Sequence, residues 1–247
     1  MLSARLTSRA HLSHGIHYVA LLRDPIRRFL SEFYETYDGW EATFATPPYV
    51  NKSESCSARL PPHLRERARS IDATSKSAYD ELFPFWIQCP TNMAASRQTR
   101  TLSYAALLTA PRTSSSEGMR RPVDTKLRES MCRRLARGAN DPKCSLQMAR
   151  AALYRFSLVG LNSERCATER LLEAQFGVRL NRSTAEVTDG GKGAHRVAKL
   201  AYDDLDTLTR RRVRDLNQDD LLLYAEARQL FRRRLKAYGI PRGVKCR

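Results

Sequence analysis

An arginine and a serine lie close to a predicted junction between a strand and a helix in residues 17–33, HYVALLRDPIRRFLSEF. The apolar run Tyr18–Leu22 is short and partly β-branched, which is typical of a buried strand. Arg23 follows this run directly, and Ser31 comes eight residues later. A guanidinium is a planar set of donors that fits phosphate oxygens, and a hydroxyl adds a further hydrogen bond. The pattern indicates an anion site, although an exposed arginine and a solvated helical serine would produce the same sequence.

The residues after Arg23 predict a helix that would complete such a site. Asp24 is suited to the N-cap and Pro25 to the first helical position. Apolar residues then recur at helical spacing from Ile26 to Tyr37, and Gly39 is expected to end the helix. In parallel α/β sheets, ligands bind beyond the carboxyl ends of strands, where the amides of the next helix favour an anion.

A second strand followed by a helix appears later in the chain. Residues 156–161, FSLVGL, predict a buried strand, Asn162 is a candidate cap for a helix that runs to Phe176, and Gly177 is expected to stop it. Two such pairs predict an α/β fold with a parallel sheet flanked by helices. Further helices are expected over Lys126–Ala136, over Ser145–Tyr154, and from near Asn217 to Gly239 and Pro241. Two strands are too few for a complete sheet, so an incomplete fold is expected.

Composition breaks divide the chain into a tail, a main region and an insert. Residues 1–15 read as a ragged N-terminal tail, residues 16–238 as one partial domain, and residues 239–247 as a second tail. Within the domain, residues 46–77 are rich in proline and serine and predict an irregular, exposed insert.

The charge of the chain predicts an anionic partner. Its 247 residues include 43 Lys and Arg against 26 Asp and Glu, a formal net charge of +17. Nucleic acid, acidic lipid, a sulfated glycan or a phosphorylated nucleotide would all suit such a surface. No apolar run reaches the ~18 residues of a spanning helix. The six cysteines contain no C-x-x-C pair, so no metal site is predicted, and their spacing does not fix any disulfide.

Four segments, in order along the chain, resemble the heparan-sulfate 6-O-sulfotransferase family of Golgi carbohydrate sulfotransferases. HYVALLRDPIRRFLSEF resembles the strand and helix that bind the 3′-phosphate of the sulfate donor in that family. The other three are QCPTNMAASRQTRTL at residues 88–102, FSLVGLNSERCATERLLEAQFGVRL at 156–180, and DLNQDDLLLYAEARQLFRRR at 215–234. The similarity covers about residues 16–236 and diverges in the insert.

The resemblance implies a P-loop-like sulfotransferase fold and an enzymatic activity. The donor would be 3′-phosphoadenosine 5′-phosphosulfate, and the acceptor the 6-hydroxyl of glucosamine in heparan sulfate or a heparin-like glycan, with no metal. It also implies the luminal side of the Golgi membrane, held there by an anchor that this chain does not contain. Two N-x-[ST] sequons, at Asn51 and Asn181, agree with a luminal domain.

The resemblance assigns roles to individual residues. Arg23 and Ser31 match the ligands of the donor 3′-phosphate. Ser183 and Thr184 lie in LNRSTAEV, a segment similar to a late loop over the nucleotide. Trp40 matches a tryptophan that contacts the sugar chain, and Glu35 stands where the family has a histidine that contacts the acceptor. The R-Q-x-R residues Arg97, Gln98 and Arg100 are expected to line the cleft.

Two family motifs have no counterpart in this sequence. The phosphosulfate cradle, Q-K-T-G-G-T-T, and the C-G-L-H histidine that resembles the base are both absent. The catalytic residue is therefore not assigned, and the chain is expected to lack the N-terminal donor-binding part and to be inactive if nothing substitutes for it. The segment DGGKGAH does not fit a P-loop, and His11, His14 and His17 lie outside the family context.

Two other functions fit the same charge. A non-catalytic module that binds heparan sulfate or heparin would need the fold and the basic surface but no base. A basic nucleic-acid-binding protein would use the arginine clusters Arg210–Arg212 and Arg232–Arg234. Because no helix-turn-helix, zinc-finger or RNA-recognition pattern is present, no nucleic-acid partner is expected.

Overall fold

The structure is a computed structural model that describes residues 17–33, 56, 60–70, 76–89, 92, 94–108, 144–179, 202–244 and 246. The chain folds as two compact units. The sheet unit consists of Met1–Arg23, Thr101–Asp189 and Leu223–Arg247, and the aromatic unit of Asp24–Arg100 and Gly190–Leu222.

Strands and helices follow in the order expected of an α/β chain. The strands are β1 (Val19–Leu22) and β2 (Leu158–Leu161). The helices are α1 (Pro25–Glu32), α2 (Pro62–Ser70), α3 (Lys76–Trp86), α4 (Arg97–Leu108), α5 (Cys144–Arg155), α6 (Arg165–Phe176), α7 (Thr207–Leu216) and α8 (Gln218–Ala237), with short 3₁₀ turns at Asn162–Glu164 and Tyr202–Asp204. Among these residues no helix is long and apolar enough to cross a bilayer.

The sheet unit contains the two strands, which pair in parallel with Val19 opposite Leu158 and Leu22 opposite Leu161. All four residues of β2 are buried, whereas Val19 and Leu21 of β1 are exposed. A mostly aliphatic core from the strands, α5, α6 and α8 surrounds the pair, with Met148, Leu153, Leu171 and Phe231 fully buried. The predicted parallel α/β arrangement with flanking helices is confirmed.

Of the two boundaries predicted for α6, the helix after β2, the end is correct and the start is not. Gly177 ends α6 with φ of 69°, and its amide donates to the Glu173 carbonyl, as a left-handed C-terminal glycine should. The prediction that Asn162 caps this helix is wrong. Asn162 instead begins a 3₁₀ turn, and α6 begins at Arg165 without a side-chain cap.

Gly160 lies in β2 at a close contact between the strand and Thr168 of α6. The Thr168 hydroxyl bonds to the Leu161 amide at 3.0 Å and to its carbonyl at 3.2 Å, which holds α6 against the strand. A Cβ placed on Gly160 would lie 2.3 Å from Thr168 Cγ2 and 3.2 Å from Leu21 Cδ1. Only glycine therefore fits this position without displacing the helix.

We expect Gly160→Ala to lower the free energy of unfolding by about 1–3 kcal/mol, because the added methyl overpacks the contact. Denaturation followed by far-ultraviolet circular dichroism measures the loss. Adding Thr168→Ser, which removes the colliding methyl and keeps the hydroxyl, should restore part of it. An unfolding midpoint equal to that of the parent chain would contradict the close packing.

The aromatic unit has a different core. Phe29 and Phe33 of the α1 segment meet Phe83 and Trp86 of α3, with ring centroids 4.7 Å apart for Phe29 and Trp86 and 5.3 Å apart for Phe33 and Phe83. All four side chains are fully buried. Aromatic side chains carry a large buried apolar area, so this cluster anchors α1 to α3.

Part of the predicted insert is ordered and packed. Residues 62–70 form α2, and Cys56, Leu60 and Leu64 are buried in the aromatic core. The expectation of an irregular, exposed insert is wrong for these residues. The prolines that suggested it act as helix starters here, since Pro62 begins α2.

Disulfides join distant parts of each unit. Cys56 bonds to Cys89 in the aromatic unit, with Cα atoms 5.5 Å apart, and Cys166 bonds to Cys246 in the sheet unit, with Cα atoms 4.8 Å apart. Cys144 is also disulfide-bonded. The 239–247 tail is consequently held at Cys246, and Ile240 and Val244 pack against the sheet core.

Candidate anion site, buried ion network and arginine groove

Arg23 lies directly after the carboxyl end of β1, as the sequence predicted. Its side chain is exposed. It is the last residue of the first segment of the sheet unit, and Asp24 begins the aromatic unit. A cation at the carboxyl end of a parallel strand is well placed for an anionic ligand.

The start of α1 is capped by its own side chain. The Asp24 carboxylate accepts a hydrogen bond from the Arg27 amide at 2.9 Å, and the Asp24 carbonyl accepts one from the Arg28 amide at 2.9 Å. Pro25, at the first helical position, has no amide hydrogen. The predicted N-cap is confirmed, and it reduces the helix's contribution to anion binding, because a carboxylate already occupies the Arg27 amide.

Ser31 is half-buried on α1 and donates its hydroxyl to the Arg28 carbonyl at 2.9 Å. A hydroxyl in this arrangement keeps its lone pairs and must rotate away from the carbonyl to donate to an anion. Four other predicted ligands, Glu35, Trp40, Ser183 and Thr184, lie outside the described residues, as does the predicted helix end at Gly39.

Arg28 is the centre of a buried ion network in the aromatic unit. Its Nη1 donates to the Glu32 carboxylate one turn along α1. Its Nη2 donates to three oxygens: the Ala94 carbonyl at 2.8 Å, the Asn217 side chain at 3.0 Å and the Asp220 carboxylate at 3.2 Å. Arg28 is 6 % exposed and Asp220 is fully buried. Such a desolvated guanidinium requires its carboxylate partners.

The same network positions the start of α4. The Asp220 carboxylate accepts the amides of Thr99 at 2.6 Å and of Gln98 at 3.0 Å, which satisfies two of the first amides of that helix. The Arg97 guanidinium lies 3.7 Å from the other oxygen of Glu32. Arg100 is half-buried in the next turn. Of the predicted R-Q-x-R set, Arg97 thus lies near Glu32, and the Gln98 amide is bound by Asp220.

Sequence reasoning did not identify this network. Arg28 and Glu32 are part of the motif around Arg23 and Ser31, and their i,i+4 spacing is the usual signal for a helical ion pair. On an exposed face this pair would contribute little to stability. The Phe29 and Phe33 positions beside it, both apolar and helical, were the available sign that this side of α1 is buried.

A groove of about 530 Å³ lies on α7 in the aromatic unit. Among the described residues, the side chains that line it are Tyr202, Thr207, Arg210, Arg211, Arg214 and Asp215. Among the described residues no cluster of three or more metal-ligating side chains is present.

The sequence is similar to that of a class of curated sulfotransferases over nearly its whole length. All of the relatives considered are named heparan-sulfate 6-O-sulfotransferase. Heparan-sulfate 6-O-sulfotransferase 2 of Danio rerio is 28 % identical over 229 residues, which is 91 % of this chain and 40 % of the relative. Heparan-sulfate 6-O-sulfotransferase 1 of Homo sapiens is 26 % identical over 235 residues, 95 % of this chain and 48 % of the relative.

The predicted resemblance to heparan-sulfate 6-O-sulfotransferases is confirmed by these similarities. The chain spans less than half the length of these relatives. No family model matches the sequence. No solved structure matches the fold.

Proposed function

We propose that this chain is the acceptor-side and 3′-phosphate-binding part of a heparan-sulfate 6-O-sulfotransferase, with a P-loop-like sulfotransferase fold. The reaction would move a sulfuryl group from 3′-phosphoadenosine 5′-phosphosulfate to the 6-hydroxyl of glucosamine in heparan sulfate. The observation that carries the proposal is the exposed Arg23 guanidinium at the carboxyl end of a parallel strand, in a chain similar to sulfotransferases over 91 % of its length. The net charge of +17 suits two polyanionic substrates.

The residues around Arg23 are better suited to a phosphate held by side chains than to a larger anion held by several backbone amides. Arg23 supplies a guanidinium fork that matches two phosphate oxygens. The capped start of α1 leaves this side chain as the main donor there. Ser31 is proposed as a second ligand through its hydroxyl. The donor, when bound, supplies the activated sulfuryl group, and these side chains hold its 3′-phosphate.

The other predicted ligands keep the roles that the resemblance gives them. Ser183 and Thr184 are proposed at the nucleotide, and Glu35 and Trp40 at the sugar chain. For Arg97, Gln98 and Arg100 we propose contact with acceptor anions, which Arg97 would make with the part of its side chain that faces solvent, 39 % of the total.

A base for the acceptor hydroxyl is not proposed from the described residues. The histidines among them are His17 and His63, both exposed. His17 Nδ1 lies 3.2 Å from the Ser157 hydroxyl, and its ring lies 5.2 Å from the Phe176 ring. These contacts indicate a structural role for His17.

The disulfides support the luminal location that the resemblance implies. Disulfides form and persist in oxidising compartments and are rare in the cytosol. Cys56–Cys89 and Cys166–Cys246 tie together each unit. We therefore propose that the chain folds in the secretory route, on the luminal side of the Golgi membrane.

Replacement of Arg23 is expected to remove recognition of the nucleotide 3′-phosphate. The parent chain should bind 3′-phosphoadenosine 5′-phosphate about 10–100-fold more tightly than adenosine 5′-phosphate, since a charge-assisted hydrogen bond contributes about 1.5–3 kcal/mol. In Arg23→Ala the two nucleotides should bind alike. Calorimetric titration of both nucleotides measures this discrimination.

The matched control is Arg27→Ala, which removes one exposed arginine four residues away. It should keep the discrimination. If Arg23→Ala prefers the 3′-phosphorylated nucleotide as strongly as the parent chain does, the role of Arg23 is disproved.

A non-catalytic module for heparan sulfate is the second candidate, and the arginine groove on α7 favours it. It predicts retention on heparin–agarose with strong salt dependence and no transfer of labelled sulfate to a heparan-type acceptor. Transfer of label by this chain would exclude this candidate, whereas elution at low salt would count against both.

A further inference from the structure

We propose that the groove on α7 is a binding site for a sulfated glycan chain, separate from the residues assigned to the donor and to the R-Q-x-R segment. The identity of the glycan rests on the proposed function, whereas the anionic character of the ligand rests on the groove itself. Its arginines, Arg210, Arg211 and Arg214, would contact sulfate and carboxylate groups along the chain.

The lining residues of α7 share one face of the helix. Thr207, Arg210, Arg211, Arg214 and Asp215 are spaced by three, one, three and one residues. Positions three and four apart on a helix lie side by side. Val213, on another face, is fully buried, and Arg212 is exposed outside the groove.

Among the described lining residues, positive charge exceeds negative charge on this face. None of Arg210, Arg211 and Arg214 forms an ion pair with a residue in the described ranges. Arg210 and Arg214 stand four residues apart, where like charges destabilise a helix. In the described part of the lining, Asp215 supplies one carboxylate against three guanidinium groups. An external polyanion would relieve this repulsion.

The walls of the groove are held in place before any ligand binds. The Tyr202 hydroxyl donates to the Arg210 carbonyl at 3.3 Å, and its ring packs against the aromatic core. Asp206 caps α7 by accepting the Thr209 amide at 3.0 Å, and hydrogen bonding to the Thr209 side chain and then to its amide lowers the pKa of Asp206. Fixed walls reduce the ordering cost of binding.

The spacing of the arginines favours a polymer with repeated anions. Arg210 and Arg214 are separated by about 6 Å along the helix axis, given the rise per residue. A chain with successive sulfates and carboxylates can engage all three guanidinium groups at once. The open groove of about 530 Å³ accepts a chain that enters and leaves.

Comparison of two adjacent arginines tests the proposal with the charge held constant. Arg211→Ala, inside the groove, should weaken binding of a size-defined heparin oligosaccharide about threefold, within the range for exposed charge pairs. Arg212→Ala, outside the groove, should leave binding within experimental error. Both side chains are exposed on the same helix, so folding is equally preserved. Calorimetry at fixed ionic strength gives both affinities.

Two triple variants and one single variant test for weaker and for stronger binding. Arg210→Ala/Arg211→Ala/Arg214→Ala should weaken binding about tenfold and flatten its salt dependence, because fewer counterions are released. The control Arg228→Ala/Arg232→Ala/Arg233→Ala removes three exposed arginines from α8 and should have a smaller effect. Asp215→Asn, which removes the carboxylate from the groove, should strengthen binding, and a folding defect would not produce that result.

Each result supports or overturns the groove site. Equal weakening by Arg211→Ala and Arg212→Ala, or by the two triple variants, would mean that heparin binds through general charge attraction. That result would overturn the groove site. Equal competition by a single-stranded oligonucleotide of matched charge would overturn the glycan assignment. The nucleotide discrimination of Arg23 is measured without glycan, so failure of the groove site leaves the donor proposal standing, and the reverse also holds.

Discussion

Arg28→Ala is expected to lower the free energy of unfolding of the aromatic unit by about 3–5 kcal/mol, because it removes the buried guanidinium that donates to the carboxylates of Glu32 and Asp220. Trp86 is fully buried in the same core, 4.7 Å from the Phe29 ring, so tryptophan fluorescence during denaturation reports on this unit. The start of α4 depends on Asp220, and the variant should also loosen the R-Q-x-R segment. Hydrogen exchange at the amides of Gln98 and Thr99 should become faster.

Arg27→Ala is the matched control for this prediction. It removes the same side chain one position earlier, where the arginine is exposed, and should change stability by no more than about 0.5 kcal/mol. Arg28→Lys keeps the charge but has no planar fork, so it should fall between the two. A loss below about 1 kcal/mol for Arg28→Ala would contradict the burial argument.

Removal of the Cys166–Cys246 disulfide is expected to lower the free energy of unfolding of the sheet unit by about 4 kcal/mol. The bond closes a loop with a sequence separation of 80 residues, and long loops gain most from a cross-link that restricts the unfolded chain. Trp86 is buried in the aromatic unit, so Cys166→Ser/Cys246→Ser should alter denaturation by circular dichroism more than the fluorescence of Trp86.

The second disulfide provides the comparison. Cys56–Cys89 has a sequence separation of 33 residues, and its removal should cost about 1 kcal/mol less and act on the fluorescence signal. Adding reductant to the parent chain should produce a loss at least as large as the two together, because it also breaks the disulfide of Cys144. If the double serine variant at residues 166 and 246 unfolds at the midpoint of the parent chain, the tail is not stabilised by this bond.

Local patterns were sufficient to predict the regular elements of the sheet unit. The β1 and β2 strands are short apolar runs, and α5 and α8 follow a helical repeat of buried residues, so their type and approximate bounds could be predicted from the sequence. Gly177 was predictable because a left-handed residue favours glycine. Asn162 was predicted as a helix cap because asparagine suits both a cap and the start of a 3₁₀ turn.

Long-range partners explain what the sequence did not reveal. The order in residues 56 and 60–70 depends on a disulfide to Cys89 and on burial against a distant core, neither of which is encoded in proline content. The Arg28 network likewise joins positions separated by up to 192 residues. Arg23 could be placed at its strand end by local pattern alone, whereas the groove on α7 required the position of Tyr202.

The reach of the Arg28 network has a consequence for how the protein is made. A ribosome releases the chain from its amino end, so Arg28, Glu32 and the start of α4 emerge long before Asn217 and Asp220 do. Until those late residues arrive, the Arg28 guanidinium has the Glu32 carboxylate but lacks the oxygens of Asn217 and Asp220. The aromatic unit can therefore complete its folding only after nearly the entire chain has been translated. Until then it is incompletely folded, and this is the period in which chaperones are most needed.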